Sequence, residues 1–497
     1  MQIIPSLFLS LFMALNLCMT YSQSLSWQDA HTFLINMQYQ RLYQFLPYIK
    51  NTPEDKAIAE YIVFHSYVIQ CLLVHPQRYE HKVKYYYENV QYYCEKLPES
   101  SPYKEYLIGE MDCEMAILYI QQKNYWSAIR KVRTGYQKLV DCVKKFPHFY
   151  EPYKTLGILH TAIGNIPQEY AWIVHALGLK GTIPQGEKEL LLCIEKSNLQ
   201  QVEAQLAYAY LCVNIFFKRE KAFKIATQMP LNYPESPFIA AVCALICTKL
   251  NQDEAGAYII ENLKRLNQNA EYFQFAFTEY LMAEYALHQN NFEQAAMHYQ
   301  SYIEKVQNNV FQADSYFKIG LCYELQGYRT DAVKYYQKCV LLTGIDQEED
   351  KQAQKYAYQL LKRPLNSIER NLRIARNYTD GGYYEQAIRQ IAFYEKILSY
   401  YSSFEQLEWY YRMARIYHAQ KNWDKALLYY KKATQIRLSP TSWMEAFSWY
   451  YMGTIYELQK NTSDARACYQ KALSYQNYEY HNSLERRTKA ALQRVKE

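Results

Sequence analysis

Four histidines near the start of the sequence, His31, His65, His75 and His81, are the first candidates for metal ligation or proton transfer. Metal binding needs several matching ligands brought together, and the sequence supplies no such compact set around them, so a surface or locally hydrogen-bonded role is expected. Glu348 and Glu349 could in principle serve as an acid and base. Glycoside hydrolysis needs carboxylates opposed across a bond, which adjacency in sequence does not supply, and the pair reads as a solvated turn. His-Glu-x-x-His, a phosphate-cradling loop ending in Lys, and Gly-x-Ser-x-Gly are all absent. Twelve cysteines are dispersed without Cys-x-x-Cys, which argues against a disulfide framework and a structural zinc site. Cys243 and Cys247 share a helix face in an apolar segment and read as small packing residues rather than a redox pair. Tyr85, Tyr86, Tyr87, Tyr92 and Tyr93, preceded by His81, Lys82 and Lys84, could offer rings to a sugar, although helix packing accounts for the same spacing. No catalytic residue, metal site or cofactor is expected.

The elements that carry these residues are helices. The chain has 497 residues, half of them hydrophobic, with only 14 glycines and 15 prolines to interrupt regular structure. Its 54 tyrosines put ring area beside water without leaving a purely apolar surface. In the last third, Met452-Gly453-x-x-Tyr456 is followed by Ala465, Tyr469 and Ala472. Met413-Ala414-x-x-Tyr417, then Ala426, Tyr430 and Ala433, repeats the pattern 39 residues earlier, and Ile374-Ala375-x-x-Tyr378 with Ala387 repeats it again. Ile319-Gly320-x-x-Tyr323 with Ala332 and Tyr336, and Met282-Ala283 with Ala295 and Tyr299, extend the series upstream. A small residue lets two helix backbones approach while an aromatic ring fills the adjoining gap. Ala116, Tyr119 and Ala128 fit a further hairpin, and 204–222 and 238–263 read as looser helix pairs. Hairpins of this kind hide their apolar stripes only by stacking on one another. The last stretch, from Ser483 through Val495, reads as a polar capping helix.

Trp449, Met452, Gly453 and Tyr456, followed by Ala465, Tyr469 and Ala472, resemble the tetratricopeptide repeat. The resemblance is specific over about 275–473 and weaker over 107–263. It implies an all-α fold, an alpha-alpha superhelix in which antiparallel helix pairs stack as a right-handed solenoid. Departures are Tyr394 at a position that usually holds Ala, repeat offsets longer than the family period, and no closing proline near Asn477. Residues Gly157 to Gly186, with Gly164, Pro167, Trp172, Gly178 and Gly181, are more vaguely similar to the divergent repeats of a mitochondrial outer-membrane family implicated in inclusion-body clearance, and read as a long connection with close-packed turns. In tetratricopeptide proteins the first helices of the repeats form an inner groove. The resemblance therefore implies that Arg376, Thr379, Tyr411, Arg415, His418, Tyr450 and Glu457 bind a protein or peptide partner.

Ile3 to Met19 is apolar and uncharged and is followed by Thr20, Tyr21 and Ser22, the pattern of an export signal over 1–22. After it, the sequence divides into divergent helical repeats over 23–200, middle repeats over 201–343, and the clearest repeats with their capping helix over 350–497. A net charge of +6 spread over the whole length points to no specific nucleic acid. The expectation is a non-enzymatic protein-interaction scaffold, periplasmic or otherwise exported and belonging to a cell-envelope complex, with peripheral membrane association open and no transmembrane span in the mature chain. The alternative is a carbohydrate-binding module built on the tyrosine-rich surfaces.

Overall fold

The computed structural model describes residues 26–49, 52–75, 77–166, 177–307, 309–436, 438 and 443–495. The expected export segment 1–22 lies outside them, as do Pro167 and Trp172. Among the described residues there are helices and no strands, as the repeat pattern requires. No helix among them is long and apolar enough to cross a membrane.

The chain divides into two compact units, one running to Ile246 and including Tyr258–Ala276, the other comprising Cys247–Ala257 and Phe277–Glu497. The sequence suggests divisions near 200 and 343 instead. In the first unit the helices are α1 (Trp27–Ile35), α2 (Tyr39–Phe45), α3 (Pro53–Leu73), α4 (Glu80–Glu95), α5 (Tyr103–Gln121), α6 (Tyr125–Lys145), α7 (Tyr153–Gly164), α8 (Ile183–Lys196), α9 (Gln201–Asn214) and α10 (Arg219–Asn232). Two further helices, α11 (Pro237–Lys249) and α12 (Asp253–Asn267), contribute residues to both units. The second continues with α13 (Phe277–His288), α14 (Phe292–Lys305), α15 (Gln312–Gln326), α16 (Arg329–Leu341), α17 (Glu348–Lys362), α18 (Ser367–Gly381), α19 (Tyr384–Ile391), α20 (Ser403–Ala419), α21 (Trp423–Gln435), α22 (Trp443–Leu458), α23 (Thr462–Leu473) and α24 (His481–Arg494).

The small-to-aromatic pattern is a lock inside each pair. A Cβ placed on Gly453 would lie 2.5 Å from the Tyr469 ring, and one on Gly320 would lie 2.6 Å from Tyr336. Ala283 with Tyr299 and Ala414 with Tyr430 keep the same 16-residue separation, and all four rings are fully buried. The turns are built alike. Asn290, Lys421 and Lys460 take left-handed backbone, and the asparagine after each caps the second helix by accepting from the backbone of Gln294, Lys425 or Asp464. Where Gly327 and Gly382 take the left-handed position, the next residue is tyrosine and no side-chain cap forms.

Two departures from the repeat pattern have structural counterparts. The long offset between Ile319 and Ile374 holds an additional helix, α17, which packs with α15 and α16 through Ala353, Ala357 and Leu360. Tyr394 replaces the small residue found at Ala433 and Ala472, and there α19 ends early and continues as a 3-10 helix over Ala392–Tyr400 that buries the ring. Between Gly157 and Gly186, the glycines make close helix contact. A Cβ on Gly186 would lie 2.4 Å from the Gly157 carbonyl oxygen, which favours a packed connection over a ligand loop.

The first unit buries a charged network that sequence spacing conceals. His31 pairs with Glu203 at 3.2 Å and His65 with Glu114 at 2.9 Å. These partners are distant in sequence, so the expected local or surface roles give way to long-range pairing. Tyr61 donates to Glu114 at 2.9 Å, Thr155 donates to Glu110 at 2.6 Å, and Lys154 closes on Glu110. Burial opposes ionisation of Glu203, but His31 and Lys154 hold its carboxyl down at about 2. Burial dominates at Glu110 and pushes its carboxyl up.

Candidate partner-binding groove

The sequence-derived groove residues all lie on first helices of the last three pairs, with Arg376 and Thr379 on α18, Tyr411, Arg415 and His418 on α20, and Tyr450 and Glu457 on α22. Thr379 is buried and its hydroxyl donates to the Ala375 carbonyl of its own helix, so it offers nothing to a ligand. Tyr411 and Tyr450 are also buried, Tyr411 edge-on against Trp443 of the next pair and Tyr450 edge-on against Tyr451 and tilted against Tyr469 of its own pair. Glu457 accepts from Tyr469 at 2.5 Å and from Arg494 of the capping helix at 2.7 Å, which holds its carboxyl below the usual carboxylate range against burial. Half-buried His418 sits edge-on to Trp423, Tyr430 and Tyr451.

Arg376 and Arg415 remain, and the structure adds two neighbours that the sequence reading missed, Arg373 and Arg412. Each pair is three residues apart on one helix, and the second pair repeats the first at the same 39-residue offset as the packing pattern. That offset was the available signal. Arg412 is paired with Glu408 at 2.9 Å and Arg376 with Asp380 at 3.4 Å. Arg415 lies 4.2 Å from the Tyr451 ring centre and Arg373 lies 5.4 Å from that of Tyr356 on α17, so each rests on an aromatic face. Among the described residues neither of these two has a carboxylate in ion-pair contact. Burial lowers the Arg373 guanidinium's hold on its proton, and Arg376 and Arg412 add to this against the opposing charge of Glu408. Against its own burial, Glu408 is kept ionised by Arg412, Arg373 and Arg376. A guanidinium held on a ring face keeps donors for an anion, although Arg415 already engages the Tyr430 hydroxyl.

Other candidates resolve into packing. On α4, Tyr86 stacks on Tyr67 with ring centres 5.4 Å apart and Tyr87 donates to Asp112 at 2.7 Å, leaving Tyr85 and Tyr92 as the exposed rings of that group. Glu348 and Glu349 open α17 at its solvated N-terminus, where negative charge is favoured, with no opposed catalytic geometry. The eleven described cysteines are all buried, and no disulfide joins any two of them. No group of His, Cys, Asp and Glu among the described residues could hold a metal ion.

Comparison with known proteins gives sequence matches to the tetratricopeptide repeat over residues 405–477, spanning α20 to α23, and over 313–346, spanning α15 and α16. No curated protein matches the chain. Similar solved structures include the tetratricopeptide domain of P58(IPK), at 13% identity over 78% of this chain and 97% of that one, with a TM-score of 0.21. Human IFIT1, solved as a dimer with PPP-AAAA, is 13% identical over 89% and 94%, with a TM-score of 0.31. The Cut9–Hcn1 hetero-tetramer of the APC/C is 13% identical over 96% and 98%, with a TM-score of 0.29. The matched segments coincide with pairs built on the Gly320–Tyr336, Ala414–Tyr430 and Gly453–Tyr469 locks, and these segments of the second unit are tetratricopeptide repeats.

Proposed function

We propose that this protein is a non-enzymatic scaffold whose second unit holds an acidic segment of a protein partner on the first helices of its last pairs. One observation carries the reading. Arg373, Arg376, Arg412 and Arg415 share one region of α18 and α20, and two of them have an aromatic face beneath them and no carboxylate partner among the described residues. Preorganised guanidiniums lose little entropy when they engage a carboxylate, so a few such contacts supply most of the binding energy. We place the scaffold in an exported or cell-envelope complex, on the strength of the apolar segment Ile3–Met19. Buried cysteine thiols are protected from exchange and suit that setting without disulfides.

The test is photo-crosslinking in the native cell from a probe placed at Thr454 on α22, which lies one repeat offset beyond Arg415 and is half-buried. A reproducible protein adduct that disappears in Arg373→Gln and Arg376→Gln chains of unchanged helicity is the expected result. For the isolated pair, those substitutions are expected to weaken binding about ten-fold or more each. Adduct formation indifferent to both substitutions refutes the groove, and recovery of polysaccharide alone replaces the protein partner with a glycan.

A further inference from the structure

The connection between α23 and α24 places the chain's own acidic residue at this groove. Most of it is exposed, including Gln476, Asn477 and Tyr480, yet the Glu479 side chain is only 13% exposed. Its carboxylate accepts from the Lys355 ammonium and, at 2.5 Å, from the Tyr356 hydroxyl. Both donors belong to α17, more than 120 residues earlier, and Tyr356 is the ring on which Arg373 rests. Tyr480 follows with its ring edge-on to Trp443 of α22, 6.5 Å between centres, and its hydroxyl within electrostatic range of Arg376. Glu348 and Glu349 lie on the same side and also act on Tyr480. Asn477 and Tyr480 both take left-handed backbone, φ +57° and +64°, which a tyrosine adopts only under constraint. Tyr478-Glu479-Tyr480 therefore lies against α17 and α22, beside the arginines of α18, in a conformation its local sequence does not prefer.

Resting on the groove reading above, we infer that Tyr478-Glu479-Tyr480 is a resident competitor, and that the groove's external ligand is an extended peptide with an acidic residue flanked by aromatic side chains. The occupant defines the chemistry. Its carboxylate takes an ammonium and a phenol, its following ring takes an indole edge, and the guanidinium of Arg373 rests on the ring of that same phenol. A segment tethered six residues beyond the end of α23 has a high effective concentration at the groove, so even weak contacts keep it in place. A ligand in trans binds with its intrinsic affinity divided by the fraction of time the groove is vacated.

The probe is a fluorescein-labelled heptapeptide with the sequence of residues 476–482, alongside its Glu-to-Gln analogue. Both are titrated by fluorescence anisotropy into the full chain. Weak binding to the wild type and at least about ten-fold tighter binding to Glu479→Gln are expected, with the gain abolished by adding Arg373→Gln. The Gln analogue is expected not to bind. In the wild type, saturating probe is expected to speed hydrogen exchange of amides 476–482, a readout that needs no variant. Equal affinity for wild type and Glu479→Gln, retention of binding with Arg373→Gln, equal binding of the Gln analogue, or unchanged exchange would each overturn the inference. A partner crosslinked in the groove without these effects would leave the scaffold reading standing and remove only the competitor.

Discussion

Replacing Gly453 with alanine should destabilise the protein even though alanine is the better helix former. In the middle of α22 the propensity term favours alanine by about 1 kcal/mol. Against it, the new methyl carbon would lie 2.5 and 2.7 Å from two ring carbons of Tyr469. That ring is fully buried, and its hydroxyl is fixed on Glu457, which Arg494 holds in turn. It cannot swing aside as a free side-chain tip would. Overpacking of this kind costs ~1–3 kcal/mol, and loosening the hydroxyl from a charged acceptor adds up to ~3 kcal/mol. The terms combine to a loss of ~0–5 kcal/mol centred on ~2 kcal/mol, which at the centre is a fall in melting temperature of roughly 4–8 °C. Circular dichroism on heating and the urea midpoint both read it. Ala414→Gly, at the same register where Tyr430 already accommodates a methyl group, should cost only ~1 kcal/mol through propensity. Restoring space with Tyr469→Leu in the Gly453→Ala background should recover part of the loss. A Gly453→Ala chain as stable as the wild type, or more so, would show that backbone approach is not what the small residue provides.

Lys154→Met should cost ~3–5 kcal/mol, because it strands the buried Glu110 carboxylate, whereas Lys154→Met with Glu110→Leu should restore most of it; urea denaturation of the three chains decides this, and an additive double variant contradicts it. In the second unit, His298 and Lys305 outweigh burial and hold Glu279 down at about 2. Its folded value lies below the unfolded one of about 4.5, so its contribution, on the order of 2–3 kcal/mol, is full above pH 4.5 and lost as pH falls towards 2. Glu279→Gln should flatten that acid limb in a series of melting curves, and an unchanged limb would assign acid unfolding to other groups. Burial raises the thiols of Cys247 and Cys322 to about 12. Maleimide should therefore modify the eleven described cysteines only after denaturation, and rapid labelling of any of them in the native chain, located by mass spectrometry, would contradict that placement.

The pairs of the second unit were legible because their packing is local. Gly453 and Tyr469 lie 16 residues apart, close enough that helix periodicity and one turn fix their contact. The additional helix α17 announced itself only as a long offset, since its apolar face is shared with two neighbours and follows no repeat spacing. The network around Lys154 could not be read at all. Its pairs join residues as far apart as His31 and Glu203, and each carboxylate alone looks like a solvated charge. Tyr411 and Tyr450 were misplaced for a related reason. Helical spacing puts a residue on the inner face, but the aromatic neighbours Trp443 and Tyr451 then decide whether that face stays open.

Packing accounts for the small–aromatic locks but not for the arginines. A merely solvated helix face is served by charges of alternating sign, and like charges three residues apart destabilise a helix by ~0.2–0.5 kcal/mol. Here α18 and α20 each carry such a pair, Arg373 with Arg376 and Arg412 with Arg415, at matching positions of consecutive repeats. The four lie close enough for Arg376 and Arg412 to weaken the Arg373 guanidinium's hold on its proton. The surrounding tyrosines and the carboxylates of Asp380 and Glu408 outweigh burial at Arg376 and Arg415, whose guanidiniums hold their protons more tightly than usual, but at Arg373 the hold stays weakened. Helix formation and the burial of apolar stripes would both be better served by removing one member of each pair. Positive charge gathered against the interests of the fold is explained by a negative group that comes to it. Glu479, reaching α17 from the far end of the same unit, brings a further carboxylate onto the Tyr356 phenol on whose ring Arg373 rests.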